Sequence, residues 1–165
     1  KNAKKIISET GADAVKLEGG EKFFDIITFL IKKKINVMGH IGLLPQKHNG
    51  KYPVYGRKKN EEKKILNDLS SLQKAGVFAI VVECTVESVV KKIMQNSNIP
   101  IIGIGATSDC DGQVLVAEDL LGLTDFNAKF LKKYSNLDMI ISRAFEKFSS
   151  DVKKRKYPQK KNYYK

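Results

Sequence analysis

Glu83 closes the run Phe78-Ala-Ile-Val-Val-Glu-Cys84. A carboxylate in that position meets apolar neighbours and little water. Desolvation disfavours its charged form and raises its proton affinity, and a glutamate tuned that way makes a general base. The position equally suits an acid held at a helix start by the backbone N–H groups of the following segment, so the residue type and place leave both readings open. Lys16 and Glu18 sit two apart in Val15-Lys-Leu-Glu-Gly-Gly20. A period of two puts them on one side of a strand, opposite Val15 and Leu17. If that side is interior, the two share a pocket; the alternative is a mutually neutralised buried pair, which is expensive to desolvate for a purely structural purpose. His40, in Gly39-His-Ile-Gly-Leu-Leu-Pro-Gln46, stands at another strand end, and a solitary histidine is more often a hydrogen-bonded structural residue than a catalyst. Gly103-Ile-Gly-Ala106 permits close approach of a ligand to the backbone. It is not the dinucleotide fingerprint, because no glycine occupies the third glycine place of that six-residue pattern.

Positioning these side chains requires strands that end together, and the chain alternates short apolar runs with longer amphipathic stretches, the pattern of repeated βα units. Strands are predicted at Ala14–Leu17, Asn36–Met38, Phe78–Val82, Ile101–Ile104 and Val114–Val116. Most are nearly continuous in Ile, Val and Leu, as strands of a parallel sheet covered on both faces are. Helices are predicted over Ala3–Glu9, Lys22–Lys33, Glu61–Ala75 and Glu87–Gln95. In the third, Ile65, Leu66, Leu69 and Leu72 form one stripe, Glu61 and Glu62 suit the positive helix start, and Gly76 suits the stop. A last helix, Leu137–Lys154, carries Ile140, Ile141, Ala144, Phe145, Phe148 and Val152 on one side and is expected to pack on the outside of the sheet. The segment from Pro45 to Lys59 is polar and follows a strand, which places a long loop of the functional kind on the strand-end face.

Composition narrows the function classes. The chain of 165 residues suits one folded domain, expected over residues 1–152, followed by a basic tail over 153–165. No stretch reaches the roughly 18 apolar residues of a membrane span, and the opening residues lack a secretory apolar run, so a cytoplasmic protein without membrane partners is expected. Cys84 and Cys110 stand in no metal-ligating or disulfide spacing. The net charge of +12 is concentrated in two places, Lys47–Lys64 and Lys147–Lys165, and arginine occurs only at Arg57, Arg143 and Arg155. Lysine lacks the guanidinium fork that reads base edges. Specific nucleic-acid readout is therefore not expected, although the lysine- and tyrosine-rich tail suits weak attraction to polyanions.

Four ordered motifs carry a resemblance. They are Gly11-Ala-Asp-Ala-Val-Lys-Leu-Glu-Gly-Gly20, Gly39-His-Ile-Gly-Leu-Leu-Pro-Gln46, Val81-Val-Glu-Cys84, and Ile102-Gly-Ile-Gly-Ala106 continuing to Asp111-Gly-Gln-Val-Leu-Val116. With the loop Gly50–Arg57 they make the chain, over about residues 1 to 158, similar to the C-terminal part of the ketopantoate hydroxymethyltransferase family. The resemblance implies a (β/α)8 TIM barrel of the phosphoenolpyruvate/pyruvate type, here with about the first three βα units absent. It further implies transfer of a hydroxymethyl group from 5,10-methylenetetrahydrofolate to 3-methyl-2-oxobutanoate, giving 2-dehydropantoate for pantothenate synthesis. Carried over by position, Glu83 matches the general base, Lys16 a substrate contact and Glu18 a carboxylate of the Mg2+ site, with His40 near the pocket in a supporting place. Two further metal-binding aspartates of the family belong to earlier strands, outside this sequence, so turnover by this chain alone is not expected. The family also implies a homo-oligomer, a decamer. Rival readings are another barrel lyase acting on a pyruvate analogue, which folate dependence separates, and an inactive chain whose basic tail binds polyanions.

Overall fold

A computed structural model describes residues 1–48 and 52–164. Gly50 and Lys51, at the start of the loop motif, and Lys165 of the tail lie outside the described residues. The chain divides into two compact units, Lys1–Val114 and Leu115–Lys165.

The first unit is an α/β layer built on a five-stranded, wholly parallel sheet. Its strands are β1 (Ala14–Glu18), β2 (Asn36–Gly42), β3 (Ala79–Glu83), β4 (Ile101–Ile104) and β5 (Gly112–Gln113), side by side in chain order. Parallel neighbours need crossovers, and helices supply three of them: α2 (Phe24–Lys32), α3 (Lys59–Ala75) and α4 (Glu87–Asn96). A short helix, α1 (Asn2–Thr10), leads into β1 and stops at Gly11 in the left-handed conformation. The core lies between sheet and helices. Ile27 and Leu30 of α2, Ile65, Leu69 and Leu72 of α3, and Val89, Val90 and Ile93 of α4 close over Val37, Ile41, Ile80, Val82 and Ile101.

The strand period of two then sorts every second residue to the opposite face. Lys16, Glu18, His40, Val81 and Glu83 fall there, because Val15, Leu17, Val37, Ile41, Ile80 and Val82 are the residues packed into the helix-covered core. The composition of the elements thus decides which face carries chemistry.

Helix α3 illustrates why the elements begin and end where they do. The Glu61 carboxylate turns back to accept the N–H groups of Gly56 at 3.0 Å and Lys58 at 3.4 Å, satisfying donors the helix start leaves free. At the other end Gly76 adopts φ 92°, and its N–H bonds the carbonyls of Leu72 and Gln73.

Two expectations need correction. The fifth strand is Gly112–Gln113, not Val114–Val116. The Asp111 carboxylate accepts the Ile101 N–H at 2.8 Å and brings the chain alongside β4 earlier, and Val116 instead precedes helix α5 (Ala117–Leu121). Helix α2 starts at Phe24, after a 3-10 turn over Glu21–Phe23, because the Glu21 N–H is taken by the Asp68 carboxylate. The last helix, α6 (Leu137–Lys153), forms as the periodicity predicts, and none of its residues is buried. Its apolar stripe includes Phe145, 70% exposed, and Ile140, 59% exposed.

The second unit contains α5, closed by left-handed Gly122, and α6. The Leu120 and Gly122 carbonyls accept the N–H groups of Tyr134 and Asp138, which ties the segment between the two helices.

Candidate active site

Adjacent strand ends bring four ionisable side chains into one row. The register sets Glu18 of β1 beside His40 of β2, and Gly42 of β2 beside Glu83 of β3. Lys16 Nζ lies 3.8 Å from Glu18 Oε1 and 3.1 Å from His40 Nδ1. His40 Nε2 lies 3.2 Å from Glu83 Oε2. The contacts therefore run Glu18, Lys16, His40, Glu83, with two basic groups between two carboxylates. His40 and Glu83 are buried, at 2% and 6% exposure, whereas the Lys16 side chain is 45% exposed and is the member of the row most open to water. All four residues singled out from the sequence are brought together. His40 is not at a strand terminus but inside β2, which runs on to Gly42, and that extension is what carries the imidazole between Lys16 and Glu83.

The contact between His40 and Glu83 is close but not aligned as a hydrogen bond, and His40 Nε2 is a buried nitrogen with no hydrogen-bond partner among the described residues. Nor does any backbone N–H among the described residues donate to the Glu83 carboxylate, and α4 begins four residues later, at Glu87. The helix-capping account of Glu83 is thus not the arrangement seen.

The backbone around Glu83 is held from several sides. Its carbonyl accepts the Leu43 N–H at 2.9 Å and the Thr85 hydroxyl at 3.0 Å. Gly42 permits this approach: it has φ 84°, and a Cβ there would stand 2.2 Å from the Glu83 carbonyl oxygen. The next residue, Cys84, adopts φ 45°, a conformation a non-glycine residue holds only where neighbours over-determine it. Those neighbours are the Ile104 carbonyl, which accepts the Cys84 N–H at 2.9 Å, and the Tyr55 N–H, which donates to the Cys84 carbonyl at 2.8 Å. Burial, and secondarily the Glu83 carboxylate, push the Cys84 thiol up to about 11. It stays protonated at neutral pH and is no nucleophile.

Two contacts fasten the segment after β2 to this end of the sheet. The Gln46 N–H donates to Glu18 Oε2 at 3.2 Å, and Tyr55, whose hydroxyl lies 2.7 Å from His48 Nε2, bridges to Thr85 beside Glu83. Sequence reasoning did not single out Tyr55, His48 or Thr85 for the site. It also passed over Asp68, which is buried on α3 and accepts the Glu21 N–H at 2.9 Å, fixing the turn that follows Glu18. A signal for Asp68 was present: it is a charged residue on the apolar stripe of Ile65, Leu69 and Leu72.

As a metal centre the row is incomplete. Among the described residues no group of three or more His, Cys, Asp or Glu side chains is placed to hold a metal ion. Glu18 is the one carboxylate at the position the resemblance assigns to Mg2+, and its Oε1 faces the Lys16 ammonium. One carboxylate beside a cation does not fit a self-contained Mg2+ site.

The described helices include none long and apolar enough to cross a membrane. Comparison with known proteins adds the family. The family model for ketopantoate hydroxymethyltransferase matches residues 1–160. The chain is 51% identical over 163 residues to a 3-methyl-2-oxobutanoate hydroxymethyltransferase of Pelagibacter ubique, covering 99% of this chain and 63% of the relative. Proteins of the same name from Sulfurisphaera tokodaii and Rhizobium etli are 48% and 46% identical, with 96% of this chain covered in each case and 60% and 59% of the relatives. The chain thus spans about 60% of the length of the curated relatives it matches, and over nearly all of its own length it belongs to the ketopantoate hydroxymethyltransferase family.

Proposed function

We propose that this chain carries the proton-abstracting part of a 3-methyl-2-oxobutanoate hydroxymethyltransferase, and that Glu83 is its base. The observation that supports this most is the buried Glu83 carboxylate, held at a strand end with His40 Nε2 at 3.2 Å and no backbone N–H donor among the described residues. The Glu83 carboxylate takes the proton from C3 of the oxo acid. The resulting enolate forms a carbon–carbon bond to a one-carbon unit at the formaldehyde level. With 5,10-methylenetetrahydrofolate as donor, water supplies the hydroxyl oxygen and tetrahydrofolate is released with 2-dehydropantoate. Lys16, cationic and partly open to water, attracts the substrate carboxylate.

The same reading makes the parallel sheet part of a (β/α)8 barrel of the phosphoenolpyruvate/pyruvate type in a cytoplasmic homo-oligomer, with residues 153–165 as a basic tail. Mg2+ enters by family resemblance alone. Glu18 would be this chain's contribution, and no step above is routed through the metal.

Exchange of the C3 hydrogen of 3-methyl-2-oxobutanoate with solvent deuterium isolates the first step, because it needs no one-carbon donor. In the enzyme that carries this sequence, Glu83→Gln should slow that exchange by about 10²-fold or more with the fold intact by circular dichroism. Near-normal exchange would remove Glu83 from the role.

A further inference from the structure

We infer that Lys16 sets the tautomer of His40, so that the ring presents Nε2–H to Glu83 and the Lys16–His40 pair positions the base. The inference rests on Glu83 being that base and adds how its carboxylate is oriented. A lysine ammonium has three donors and no acceptor. At 3.1 Å from His40 Nδ1, it makes that nitrogen the acceptor. The single proton of the neutral imidazole then sits on Nε2, the nitrogen 3.2 Å from Glu83 Oε2.

The buried, unaligned state of Nε2 gives this assignment its consequence. A buried N–H without a partner is costly, and the Glu83 carboxylate, 3.2 Å away, is an acceptor within reach of a small ring or carboxyl rotation. An N–H directed at the carboxylate favours its ionised, proton-accepting form and fixes which oxygen is free for C3. The opposite tautomer would set the lone pair of Nε2 against the carboxylate and work against that form. Glu18 completes the device from the far side: its Oε1, 3.8 Å from Lys16 Nζ, holds the ammonium over Nδ1. Lys16 is thereby more than a substrate contact, and His40 is a positioning residue that acts through Glu83.

The tautomer is directly readable. The chain has two histidines, so long-range proton–nitrogen correlation spectra of protein labelled with 15N-histidine resolve both rings, and a His48→Gln variant assigns them. His40 should show the Nε2–H form in the unsubstituted protein. Lys16→Met should lower the population of that form and slow C3 exchange by about tenfold, a part of the cost of misplacing a catalytic group. Lys16→Arg, which also only donates, should restore the tautomer. An Nδ1–H ring in the unsubstituted protein, or an unchanged Nε2–H ring in Lys16→Met, would overturn the inference. The spectrum does not depend on turnover, so its failure leaves the base assignment standing, whereas normal exchange in Glu83→Gln removes the base and leaves the tautomer as found.

Discussion

Helices α3 and α6 each run for 17 residues and each gathers its apolar side chains on one face, yet α3 buries Ile65, Asp68, Leu69, Leu72 and Ala75 while α6 buries nothing. The difference lies in what the chain does next. Helix α3 joins two neighbouring parallel strands, β2 and β3, and such a crossover has to lie along the sheet. Its stripe joins Val37 and Ile80 in one buried cluster, and Leu72 lies against Gly39. Helix α6 is followed by no strand among the described residues, only by the lysine-rich segment and a 3-10 turn over Lys160–Asn162. Amphipathic spacing is enough to form both helices, and in α3 the crossover between β2 and β3 supplies the burial. The comparison matters for function because α3 carries Asp68, and Asp68 fixes the turn after Glu18. Leu72 packs so close to Gly39 that a Cβ there would stand 2.6 Å from its Cδ1, directly beside His40 in β2.

If burial by connectivity is what separates the two helices, truncations on them should differ sharply. Leu72→Ala, at a fully buried position, should cost about 2–5 kcal/mol in urea unfolding; a loss under about 1 kcal/mol would place α3 and α6 in the same class and break the comparison. Gly20→Ala sharpens it at the point where α3 meets the site. A Cβ there would stand 2.1 Å from Asp68 Oδ1, so the turn or the carboxylate must shift, at an expected cost of about 1–3 kcal/mol. A midpoint identical to the unsubstituted protein would show that Asp68 does not hold the turn. The smallest effect belongs to α6: Phe145→Ala, at 70% exposure, should change unfolding free energy by no more than about 0.5 kcal/mol. A larger loss would mean that the α6 stripe is covered in solution.

Much of the first unit was legible in the order of residues. Strand β4 falls at Ile101–Ile104 as predicted, and β1 and β3 differ from expectation by one residue at their ends. Glycine and acidic residues marked the limits of α3 to within two residues. The end of β2 was not legible, because Gly39, His40 and Gly42 are poor strand formers and pairing with β3 overrides them. The same holds for β5, where the apolar run Val114–Val116 drew the prediction away from Gly112–Gln113, the residues that pair with Ile102 and Gly103.

For the site, the sequence by itself determined which side chains were candidates. Two charged residues spaced by two had to share a face, and a glutamate ending a run of Ile and Val had to enter a poorly hydrated place. The four motifs carry the likeness to the family, whose model matches residues 1–160. Only the tertiary structure decided that Lys16, His40 and Glu83 form one connected row, that the capping account of Glu83 is not used, and that the imidazole has a buried nitrogen to direct. The reason is physical. Periodicity along a strand says which face a residue takes, but the 3.1 Å and 3.2 Å contacts of His40 are set by register between strands. That register comes from hydrogen bonding and core packing between segments far apart in the chain.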